Sequence, residues 1–193
     1  MNNQITQAVN ILNQGGIIIF PTDTAFGIGC RIDNEGAIKK LFKIRQRPQS
    51  QAVPLLVSDL GMAKAYTEGI SEDVIRKLIE PYWPGALTIV LKANKEKVSG
   101  LVRGGGETVG IRVPNHPLIL EIIKKVGIPV LGPSANFHGE NTPFTFEDLD
   151  PRLISLVDNV VKGECSVKQA STVIDSTQTP WKTLRQGEVF VNI

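Results

Sequence analysis

Apolar residues at Ile5, Val9 and Leu12 recur at the spacing of one helix face and are followed by Gly15-Gly16, which predicts an amphipathic helix with a glycine stop. The unbroken apolar run over residues 17–20 predicts a buried strand ended by Pro21. Residues 22–29 are polar, small and punctuated by glycine, as expected of a loop that meets a ligand. Ala37, Ile38, Leu41 and Phe42 mark one face of a second helix, which runs into Lys39, Lys40, Lys43, Arg45 and Arg47 before Pro48 stops it.

Further along, the pattern predicts strands over residues 53–57, 87–91, 108–113 and 129–131, and helices over 61–66 and 72–79. Another helix begins at Pro117 and closes at Gly127. A short helix after Asp148 and strands near Val157, Thr172 and Val189 complete the chain. Alternating helices and strands predict a mixed α/β class. No repeat, low-complexity tract or linker divides the sequence, so a single domain over residues 1–193 is expected.

The composition, 41% hydrophobic and 21% charged, is that of an ordinary globular protein and argues against disorder. A net charge of +2 is too mild to identify a nucleic-acid binder by itself. Cys30 and Cys165 cannot form a disulfide framework, the first residues lack a secretory pattern, and no apolar run approaches the ~20 residues of a membrane span. A cytoplasmic protein with no membrane partner is the expectation.

Several chemistries fail. There is no Gly-x-x-x-x-Gly-Lys-Ser/Thr loop and no Gly-x-Gly-x-x-Gly fingerprint. His116, His138, Cys30 and Cys165 share no metal-ligand spacing, so no protein metal site is expected. Ser134 sits at a strand-to-loop turn, yet the segment lacks the second glycine of a nucleophile elbow.

Three segments survive: Pro21-Thr22-Asp23-Thr24-Ala25-Phe26-Gly27, Lys43-Ile44-Arg45-Gln46-Arg47-Pro48 and Pro133-Ser134-Ala135-Asn136. Taken singly, the threonines are compatible with turn caps, the basic run with a solvated helix face and the last with a plain loop. Their joint order at element ends, with Trp83-Pro84-Gly85, residues 109–114, 171–175 and 184–187, resembles the YrdC-like family, the threonylcarbamoyl-AMP synthases. The resemblance spans nearly the whole chain, with no room for the extra C-terminal domain of longer relatives.

The resemblance implies a single-domain twisted open mixed sheet with helices on its faces and a deep concave cavity. It also implies conversion of L-threonine, bicarbonate and ATP to threonylcarbamoyl-AMP and pyrophosphate, with magnesium accompanying ATP. The product would feed a transferase that modifies the adenosine next to the anticodon of certain tRNAs. Arg45, Arg47, Ser134 and Asn136 are then the catalytic candidates, and together with Ser171, Thr172 and Arg185 they are candidates for holding ATP. Thr22, Thr24, Phe26 and Arg112 are candidates for threonine, with Arg112 taking its carboxylate. Such chemistry concentrates negative charge, which guanidinium forks and fixed hydrogen-bond donors suit.

Two positions depart from the family pattern: Arg45 stands where Lys is usual and Phe26 where Tyr is usual. The first resembles the paralogous YciO-like branch, and Arg and Lys are not interchangeable at phosphate sites. The alternative function is a non-catalytic RNA binder using the basic residues of the second helix. Asp23 and His138 have no assigned role, and Arg112 is also compatible with a surface strand position.

Overall fold

The computed structural model describes residues 2–192. Helix α1 (Asn2–Asn13) precedes a hairpin of β1 (Ile18–Pro21) and β2 (Phe26–Gly29), and α2 (Glu35–Ile44) follows. Then come β3 (Leu55–Leu56), α3 (Leu60–Ala65), and a helical stretch of α4 (Glu72–Val74), a π-helical segment Ile75–Ile79 and α5 (Glu80–Tyr82). Strands β4 (Leu87–Lys92) and β5 (Thr108–Arg112) lead to α6 (Pro117–Val126) and β6 (Val130–Leu131). Helix α7 (Pro151–Ile154) and strands β7 (Asn159–Val160), β8 (Thr172–Asp175) and β9 (Lys182–Arg185) complete the order.

The strands form a three-stranded sheet, β2-β1-β7, and a six-stranded sheet, β6-β3-β5-β4-β8-β9, with parallel and antiparallel pairs in both. β1 is buried on both faces, which is why it is continuously apolar. Ile18 and Phe20 meet Ile5, Ala8 and Leu12 of α1 and the buried stripe of α6, whereas Ile17 and Ile19 enter the larger core with Ile38, Leu41 and Phe42 of α2. Strand alternation thus divides one run of residues between two cores.

Backbone hydrogen bonds join the sheets. Ile28 N donates to Pro133 O (3.0 Å), Ala135 N to Phe26 O (2.8 Å) and Leu131 N to Cys30 O (2.9 Å). The approach leaves no room for a side chain at Gly29, where a Cβ would lie 1.8 Å from the Leu131 carbonyl oxygen. Residues 26–29, expected as part of a loop, are therefore a strand whose glycines answer to close packing. The strand expected near Val189 is absent; β9 lies earlier, at Lys182–Arg185, where antiparallel pairing with β8 overrides a polar composition. The strand expected over 53–57 is confined to Leu55–Leu56, and the one near Val157 lies at Asn159–Val160.

Two outcomes follow from this packing. Gly29→Ala would force the sheets apart and cost about 3 kcal/mol or more in urea unfolding; an unchanged midpoint would refute the close junction. Burial pushes the Cys30 thiol up to about 12 and the Cys165 thiol up to about 11 from 9.0. Between pH 9 and 11 the unfolded chain loses thiol protons that the folded chain keeps, so stability falls as pH rises through this window. At pH 8 both thiols should resist iodoacetamide until guanidinium unfolds the protein.

Candidate functional site

A cavity of about 380 Å³ lies between the two sheets, a volume typical of small-molecule sites. Its wall is a product of the two-residue strand period. Leu87, Ile89 and Leu91 of β4, Val109 and Ile111 of β5 and Ile174 of β8 point into the large core. The alternate residues Thr88, Val90, Gly110, Arg112 and Val173 line the cavity. The β1–β2 turn, the end of α2, Leu56 of β3, residues 132–134 and β9 close the remaining sides.

Every site residue proposed from the sequence lines this cavity except Asn136 and Thr172. Thr172 shares a strand face with Ile174, so it points away; its hydroxyl donates to Val189 O (2.6 Å) and accepts from Gly187 N (3.0 Å). Ser171 faces inward instead, with its Oγ 2.9 Å from both Thr88 Oγ1 and Arg185 Nη2. Asn136 turns away behind the wall. Its Oδ1 accepts from Arg45 Nη2 (3.2 Å) and Ser134 Oγ (2.5 Å), and its Nδ2 donates to Glu140 O (2.7 Å). Asn136 therefore fixes the two residues that do reach the cavity.

Arg45 and Arg47 owe their positions to the end of α2. Gln46 adopts a left-handed φ of 52°, with Arg47 N bonded to Phe42 O and Gln46 N to Lys43 O, the Schellman pattern. That turn carries Arg45 inward, leaving it 3% exposed, while Arg47 lies half-buried with Nη2 on Ala52 O (2.7 Å). The basic run is thus no continuous phosphate-facing stripe. Lys39 pairs with Glu35 and Lys40 with Asp158, and Arg45 is sequestered in the cavity wall.

Arg112 is buried and holds three acceptors. Nε donates to Gly85 O (2.8 Å), Nη1 to Thr24 Oγ1 (2.6 Å) and Nη2 to Asp23 Oδ1 in a fully buried ion pair. Asp23, without a role in the sequence, compensates this charge, and Arg112 still lines the cavity. Arg45, Arg47 and Arg185 have no acidic partner, and among the described residues the lining contains no carboxylate. Burial, and secondarily the charge of Arg47, pushes the Arg45 guanidinium down to about 10; burial also lowers Arg47 and Arg185. All three remain cationic at neutral pH. Arg45 Nη1 is buried without a hydrogen-bond partner, a costly state that an anion would relieve.

Phe26 is buried with its ring edge-on to Phe146, 6.2 Å between centroids, and forms part of the wall. Thr88, Val90, Val173, Leu184 and Thr142 also line the cavity and were not identified from the sequence. A signal existed for Thr88: a lone hydroxyl inside the apolar run Leu87-Thr88-Ile89-Val90-Leu91 marks the strand face that avoids the core. His138 is exposed, its ring Nε2 lying 3.4 Å from Gln51 Nε2. Among the described residues no group of three His, Cys, Asp or Glu side chains could hold a metal, and no helix is long and apolar enough to cross a membrane.

The Sua5/YciO/YrdC family model, described as "Telomere recombination", matches residues 10–187. Threonylcarbamoyl-AMP synthase of Bacillus subtilis is 34% identical over 190 residues, covering 96% of this chain and 54% of that protein. The crystal structure of Pyrococcus abyssi Sua5 complexed with L-threonine has a TM-score of 0.88 at 29% identity, covering 95% of this chain and 54% of that one. The crystal structure of Escherichia coli YciO has a TM-score of 0.87 at 30% identity, covering 97% and 90%. The chain spans about half the length of the first two relatives and most of the third. With the model matched over most of its length, around the same strands and loops that build the arginine-lined cavity, the chain belongs to the Sua5/YciO/YrdC family.

Proposed function

We propose that this protein makes threonylcarbamoyl-AMP and pyrophosphate from L-threonine, bicarbonate and ATP. The observation that carries the proposal is a cavity lined by uncompensated arginines and no carboxylate, with one buried guanidinium nitrogen unpartnered. Each reactant brings negative charge to it. Carbon dioxide from bicarbonate adds to the threonine amine, the amine loses a proton, and a carbamate forms. A carbamate oxygen then attacks the α-phosphorus of ATP while the bond to the bridging oxygen breaks, and pyrophosphate leaves with the electron pair. Arg47 and Arg185 hold polyphosphate oxygens, Arg45 meets charge developing near the α-phosphate, and the Ser134 and Ser171 hydroxyls orient them.

The threonine end lies at the Thr22–Phe26 turn. Support comes from the Bacillus relative, named as such a synthase, and from the Pyrococcus relative, solved with L-threonine. The absence of carboxylates from the described lining fits a magnesium ion held by the nucleotide's own phosphates, where it would offset charge on the leaving group. The product is a mixed anhydride that a tRNA-modifying transferase would consume, in the cytoplasm.

Purified protein incubated with ATP, L-threonine, bicarbonate and magnesium should release pyrophosphate and yield threonylcarbamoyl-AMP by mass spectrometry. Folded, ATP-binding protein that forms no product would overturn the proposal. Arg47→Ala should lower kcat/KM for ATP about 10²-fold and cost no more than about 1.5 kcal/mol of unfolding free energy, the worth of its bond to Ala52 O; full turnover would remove Arg47 from the site. Pyrophosphate at one hundred times its Kd should stabilise the protein by about 2.7 kcal/mol, a melting rise of roughly 5–10 °C, and no shift would exclude anion binding.

A further inference from the structure

Hydrogen-bond capacity in the β1–β2 turn is nearly all committed, and what is left has a direction. Thr22 has one hydroxyl proton, which it gives to Ala25 O at 2.7 Å. Its oxygen accepts from Thr24 N and Ala25 N, both at 3.2 Å, which fills both lone pairs. Thr22 is therefore a turn-forming residue with nothing to offer a ligand, although it borders the cavity. Thr24 differs. Its oxygen accepts from Arg112 Nη1 at 2.6 Å, and its proton has only the saturated Thr22 oxygen near it, at 3.1 Å.

The direction originates at Asp23. Its Oδ1 takes Arg112 Nη2 and Asn115 N (3.1 Å), and its main-chain carbonyl accepts from Val167 N (2.7 Å), so the carboxylate is held by residues 112–115 and the backbone of the residue by a second segment. Gly85 O takes Arg112 Nε from the opposite side. Held between Asp23 and Gly85, the guanidinium cannot swing into the cavity, and it presses one N–H onto Thr24. Thr24 lines the cavity, and with its oxygen taken by Arg112 its hydroxyl is left only to donate.

We infer that Asp23 is a positioning residue: acting through Arg112, it makes the Thr24 hydroxyl an obligatory donor to an acceptor atom on the amino-acid substrate. This rests on the synthase function proposed above and deepens it, because it predicts that the buried ion pair governs affinity for the amino acid and not for the nucleotide. A turn that merely needed the pair for packing would lose kcat/KM for both substrates together.

The test compares Asp23→Asn, Thr24→Val and Thr24→Ser with the parent in the pyrophosphate-release assay, with L-threonine binding by calorimetry on the same proteins. Asp23→Asn keeps the size of the side chain and removes its charge; Thr24→Val keeps the shape and removes the proton; Thr24→Ser retains it. The expected result is a threonine KM and Kd raised at least tenfold in Asp23→Asn and Thr24→Val, an ATP KM within twofold of the parent, and recovery in Thr24→Ser. If Asp23→Asn does not fold, the Thr24 pair decides alone. An active parent whose threonine KM is unmoved by Thr24→Val overturns the positioning role and leaves the synthase function standing. A parent that binds L-threonine but releases no pyrophosphate overturns the synthase function, and the variant Kd values still decide the role of Asp23. A parent that does neither overturns both.

Discussion

The segment 130–135 pairs on both of its edges, and the cavity depends on that. On one side β6 runs antiparallel to β3; on the other, residues 131–135 exchange backbone hydrogen bonds with residues 26–30. Without the second set, β1, β2 and β7 would be a small sheet with an open edge, and the Thr22–Phe26 turn would be tied to β5 chiefly through Asp23 and Thr24. The constraint is steric as much as polar: Gly29 must lack a side chain for the Leu131 carbonyl to approach, and a Cβ at Gly132 would meet Leu56 at 2.4 Å.

What was legible in the sequence was whatever a period could express. The stripes of α1 and α2 and the buried run of β1 followed from spacing, because hydrophobic burial selects the same positions that geometry repeats, and α6 was marked at its ends by Pro117 and Gly127. The short pieces were less legible. Phe26-Gly27-Ile28-Gly29 has the composition of a loop, and Gly29 answers to a strand more than one hundred residues away in the sequence, Gly27 to the Phe20 ring. Lys182-Thr183-Leu184-Arg185 is polar because it is an exposed edge, held by pairing with β8.

The candidate site shows the same division. Residue types pointed to the loops that line the cavity, yet the face of each residue depended on register. Ser171 and Thr172 are neighbours in sequence and lie on opposite faces of the sheet, one in the cavity and one bonded to the chain end. Asn136 carries a ligand-like amide that is spent on Arg45, Ser134 and Glu140. Asp23 looked like a turn residue because its partner, Arg112, is 89 positions away.

The guanidinium groups that lack an acidic partner have a consequence for measurement. Three like charges converging on one cavity attract small anions of any kind, so the substrate proposed for this site would compete with the anions of its buffer. The apparent affinity measured in any buffer is an exchange constant against its resident anions, and it belongs as much to the ionic medium as to the protein.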